Sequence, residues 1–127
     1  MSKWKDLDMV DKLTSILEDK YTYTHPEENG GQPFVTPYQL AFDFNDRYPD
    51  AVKTLGYENK IGGEGSGHTD TLSRYIAKNL ITNIKAGHIT HIEFAFINTN
   101  RNMQFKYNDE NVKASPDISM YRLKFTE

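Results

Sequence analysis

The chain has 127 residues, of which 37% are hydrophobic, 26% charged and 13% aromatic. That balance suits one domain over residues 1–127 with a core of its own, not a disordered segment. Net charge is −3 and cysteine is absent, which excludes disulfide scaffolds, thiol nucleophiles, iron–sulfur clusters and cysteine-based zinc sites. No apolar run nears the roughly 20 residues that span a bilayer. The first residues turn acidic at Asp6 without the apolar stretch of a secretory signal, so the expectation is a cytoplasmic protein with no membrane partner.

The first predicted element is a helix over residues 3–22. Trp4, Leu7, Val10, Leu13, Ile16, Leu17 and Tyr21 recur at spacings of three and four and so fall on one stripe. Ser2 is the candidate N-cap, and Trp4, near the helix end, is a candidate anchor for a second copy or another protein. The breakers His25-Pro26, Asn29-Gly30-Gly31 and Pro33 then make a loop. Thr36-Pro37-Tyr38-Gln39 is a capping box with proline at the first helical position, and Val35 and Leu40 stand where a hydrophobic staple forms. This second helix breaks near Pro49, continues for a short turn and closes at Gly56.

Residues 57–67 read as a loop rich in glycine toward its end. A third helix is predicted over 69–86, with Leu72, Ile76, Leu80 and Ile84 on its inner stripe and Gly87 as its stop. The period then changes to two: Ile92, Phe94 and Phe96 form one strand, and Met103, Phe105 and Tyr107 a second, joined by the polar turn 98–102 as a hairpin. After a loop over 108–117, a last strand is expected at 118–126. The predicted fold is therefore α+β: three helices on a small antiparallel sheet made of a hairpin and a third strand.

Charge is unevenly distributed. Residues 1–60 hold seven Lys/Arg and eleven Asp/Glu, whereas residues 61–127 hold eight and seven. Within the second part, Arg74, Lys78 and Lys85 lie on the polar side of the third helix, Asn100 and Arg101 on the hairpin turn, and Lys106 on the second hairpin strand. The helix–turn–helix–hairpin order over 36–107 resembles a winged-helix domain. The resemblance implies nucleic-acid binding, with the third helix in the groove and the turn as the wing. Those six residues would then contact phosphate and bases.

Two other readings stay open. One is a protein-interaction or oligomerisation module using the N-terminal helix. The other is an anion or small-ligand loop formed by Gly63, Gly65, Ser66, Gly67, His68 and Thr69, a glycine run that leads into a helix N-terminus. It lacks the Lys-Ser/Thr of a phosphate loop. Ser66, His68 and Asp70 stand close together in sequence, but no catalytic residues are expected from them. The histidines have no spacing that demands a metal, and no cofactor is implied.

Overall fold

The computed structural model describes residues 2–63 and 70–125. Among these, five α-helices and four strands form an α+β fold.

The N-terminal stripe is carried by two helices, not one: α1 (Lys3–Asp6) and α2 (Met9–Lys20). Asp8 between them is left-handed, at φ 50° and ψ 47°, a conformation a short polar side chain tolerates. The break resets the helical phase, so Met9 is fully buried and Val10 only half-buried. Ser2 occupies the N-cap position, but its side chain makes no capping bond; its carbonyl accepts from the Asp6 N–H at 3.0 Å. Trp4 is 5% exposed and meets the Tyr75 ring edge-on at 5.7 Å, so it belongs to the core and is not an exposed anchor.

A 3-10 turn (Pro26–Asn29) lies in the following loop. The capping box then forms as expected at the start of α3 (Pro37–Arg47). Thr36 Oγ1 accepts from Gln39 N–H at 3.3 Å, and Gln39 Oε1 accepts from Thr36 N–H at 2.9 Å. Val35 and Leu40 are both buried beside it. Tyr48 alone separates α3 from α4 (Pro49–Leu55), which ends at left-handed Gly56. The next helix, α5 (Leu72–Lys85), starts later than the spacing predicts. Its N-cap is Thr71, and Gly87 at φ 81° follows its end.

The strand pairing departs from the predicted hairpin. Strand β1 (Ile92–Asn98) pairs antiparallel with β4 (Asp117–Leu123), from Ile92↔Leu123 to Asn98↔Asp117. Strand β2 (Gln104–Tyr107) pairs with β3 (Glu110–Lys113) as a separate sheet. The expected 108–117 loop thus contains a strand, reached through a two-residue turn in which Asn108 and Asp109 both have positive φ, 49° and 65°. Such a turn matches the twist of a tight hairpin, so β2 folds onward to β3, leaving β1 to β4. Residues 98–102 connect two sheets and are not the tip of a hairpin. The succession after α5 is therefore not the strand–wing–strand order of a winged helix.

The core lies where α2, α3 and α5 meet the β1–β4 sheet. Leu13, Ile16, Leu17, Leu40, Phe44, Leu72, Ile76, Leu80, Ile92 and Tyr121 are fully buried there; each such side chain contributes roughly 1.5–3 kcal/mol. The β2–β3 hairpin covers the other side of α3, where the Phe42 and Tyr107 rings stack at 4.5 Å and Tyr38 stacks on Phe105 at 5.8 Å. Asp43, 7% exposed, is satisfied at that depth by Lys20 Nζ and the Tyr21 hydroxyl, each at 2.5 Å. Among the described residues no helix is long and apolar enough to cross a membrane.

Candidate functional site

The sequence of α5, LSRYIAKNLITNIK, contains three cations and no acid. At 100° per residue, Arg74, Lys78 and Lys85 fall within about 40° of one another and span roughly 16 Å along the axis. All three are exposed, while Leu72, Ile76 and Leu80 on the opposite side are fully buried. Burial of one stripe thus fixes the direction of the other. Lys85, in the last turn, also sits where the helix dipole favours a positive charge.

Arg74 and Lys78 form one wall of a concavity of about 510 Å³, completed by Tyr57, Asp70, Tyr75 and Asn79. The Tyr57 hydroxyl donates to Asp70 Oδ1 at 2.8 Å. Burial first, and then that carboxylate, push the Tyr57 phenol up to about 12. Tyr57 is therefore a neutral donor committed to Asp70. Tyr75 is also raised, by burial alone. Its ring lies between Tyr57 at 5.5 Å and Trp4 at 5.7 Å, so this wall is anchored to the core through an aromatic chain. Tyr57 itself is buried, and Tyr75 half-buried.

The start of α5 follows the predicted anion loop in the chain. Its first N–H groups already have partners: Leu72 N–H donates to Lys60 O, Ser73 N–H to Ile61 O, both at 2.9 Å, and Arg74 N–H to Thr71 Oγ1 at 3.3 Å. An anion at this helix end would have to displace them. Gly63 is half-buried at φ 121°, and a Cβ there would stand 3.0 Å from Val112 Cγ1, so this glycine allows the segment to pass close to β3. The other residues of that loop, Gly65, Ser66, Gly67, His68 and Thr69, lie outside the described residues.

The remaining predicted contacts sit on other elements. In the 98–102 turn, Asn98 Nδ2 donates to Asp117 Oδ1 at 2.6 Å and Asn102 Nδ2 to Ala114 O at 2.8 Å, which anchors the turn to the start of β4 and to the segment before it. Asn100, left-handed at φ 54°, and Arg101 are exposed. Lys106 is exposed on β2, between Phe105 and Tyr107, whose rings face α3; it therefore points from the other side of the hairpin. Sequence spacing thus locates the α5 stripe, whereas Asn100, Arg101 and Lys106 are held by elements other than α5.

The histidines take separate partners. His25 is 3.4 Å from Glu27, His88 is 3.2 Å from Asn83, and His91 is 2.8 Å from Thr14. Among the described residues no group of three or more His, Cys, Asp or Glu could hold a metal ion.

Sequence reasoning missed the Tyr57–Asp70 pair, thirteen positions apart across a glycine-rich stretch, for which no periodic signal exists. It also missed how open β1 is: Phe96 is 64% exposed, although alternation assigns it to the packed face. No protein-family model, curated protein or solved structure matches this chain.

Proposed function

We propose that α5 presents a phosphate-contacting stripe and that the chain is a small nucleic-acid-binding module. One observation carries this reading. In a chain of net charge −3, a fourteen-residue helix has three exposed cations on one side and no carboxylate. Cations on a rigid helix neutralise backbone phosphates and release condensed counterions, a driving force that overrides a modest overall negative charge. In this reading α5 lies along the nucleic-acid backbone by itself, without the wing that the sequence order suggested. The β2–β3 hairpin carries Lys106 and Lys113 beside Asp109 and Glu110, so α5 is the principal contact and the hairpin is secondary.

The test is fluorescence anisotropy with labelled duplex DNA and with single-stranded RNA over a range of salt. Phosphate contacts by Lys78 and Lys85 predict a log–log slope of about −1.8 on duplex DNA. Replacing Lys78 or Lys85 with Gln lowers the slope by about one contact each. A folded Arg74→Glu/Lys78→Glu variant that retains full affinity, or wild-type protein that retains neither nucleic acid at low salt, refutes the proposal.

A further inference from the structure

We infer that two copies of the chain associate by antiparallel pairing of their β1 strands, forming a continuous sheet in the order β4-β1-β1-β4. This inference does not depend on the cationic stripe of α5.

The argument starts from which backbone groups of β1 point outward. On β4, Tyr121 exchanges both of its bonds with Val35, at 2.8 and 2.9 Å, so Val35 flanks β4 on the side away from β1. In an antiparallel ladder, neighbours along a strand bond to alternate sides. Arg122, Met120 and Ile118 therefore bond to Glu93, Ala95 and Ile97. The N–H and C=O groups of Ile92, Phe94, Phe96 and Asn98 then point away from β4. Among the described residues no strand pairs with that edge of β1.

Open sheet edges are normally kept short, charged, bulged or covered. This one runs for seven residues, IEFAFIN, with one charge and neither proline nor lysine. Phe96 is 64% exposed and Ile97 39% exposed, and the Phe94 and Phe96 rings meet edge-on at 5.9 Å on one side of the strand.

A second copy fits this edge better than an unrelated peptide would, because the strand is self-complementary. A two-fold axis through Ala95 matches every outward-facing residue with another. Phe94 then lies opposite Phe96 of the second copy, and Ile92 opposite Asn98. The alanines meet at the axis, where their small size permits close approach. The charges also agree. Glu93 is the only ionised group on β1, it is neutralised by Arg122 at 2.6 Å, and in this register it faces Ile97 of the second copy, not the other carboxylate. One closed, isologous contact removes both open edges at once.

Sedimentation equilibrium of the full chain, from about 1 µM to about 1 mM, covers the range in which a small interface dissociates. The weight-average mass should rise from 14.7 kDa toward twice that value. Phe96→Pro removes an N–H that the fold itself does not use, and Phe96→Lys keeps the N–H but adds a charge to the edge. Each should weaken association by at least about tenfold while retaining the helical circular dichroism. The inference is overturned by wild-type protein that stays monomeric throughout, or by a dimer that Phe96→Lys leaves unchanged. If Phe96→Pro does not fold, Phe96→Lys alone decides. A monomer that takes up only foreign strands through this edge also overturns it.

Discussion

Replacing Trp4 with alanine tests whether the N-terminal residues belong to the core. Deleting a buried tryptophan costs about 3–5 kcal/mol, and its edge-on contact with Tyr75 at 5.7 Å adds about 1 kcal/mol. Against this, α1 is only four residues long and is hinged at left-handed Asp8, so it can detach without dragging α2 with it. That escape limits the loss to about 3 kcal/mol, or about 10 °C in Tm for a chain of this size. Urea denaturation followed by far-UV circular dichroism measures it. Pairing Trp4→Ala with Tyr75→Leu in a double-mutant cycle should give a coupling of about 1 kcal/mol. A loss below about 0.5 kcal/mol, the range of ordinary surface substitutions, would refute the placement of Trp4 in the core, above all if association were reduced at the same time.

Two further substitutions or titrations follow from the geometry. Gly62→Ala should destabilise by about 2 kcal/mol, because its φ of 144° disfavours a side chain and the new Cβ would overlap Ser73 Oγ. Adding Ser73→Ala should restore only part of the urea midpoint, since the backbone strain persists; full recovery would show that φ is not the constraint. At alkaline pH, Tyr121 and Tyr57 are both held up to about 12, Tyr121 mainly by burial. The unfolded chain gives up these protons near pH 10, so between about pH 10 and 12 the native state binds more protons than the unfolded one. Stability is then full below pH 10 and falls as pH rises through that window, with Tyr121 alone accounting for roughly 3 kcal/mol. Urea midpoints that stay constant across the window would contradict this.

The parts of the fold legible in the sequence are those set by single residues or by short-range spacing. Thr36 and Gln39 mark a helix start because their two side chains bond reciprocally over one turn. Gly56 and Gly87 mark ends because each takes a positive φ. The α5 stripe is legible because its apolar and cationic residues share one period. The helix break at Asp8 was hidden because apolar residues recur at helical spacing on both sides of it. Strand β3, with Val112 as its one apolar residue, lacks any alternation. Above all, alternation identifies β1 as a strand without saying what it pairs with. That choice is made by the Asn108–Asp109 turn, which commits β2 to β3, and by Val35, distant in sequence from Tyr121. For the same reason the cationic residues of α5 could be grouped in advance, whereas Arg101 and Lys106 could not be placed relative to them.

The two bonds between Val35 and Tyr121 close a loop of more than eighty intervening residues. They also make β4 the strand that holds both β1 and the residue preceding the capping box. Because β4 follows all of these in the chain, a polypeptide emerging from the ribosome carries β1 with neither edge paired until β4 has been made. Closing so large a loop is entropically slow. The helices can consolidate from local contacts while β1 still lacks the partner strand that covers its inner edge.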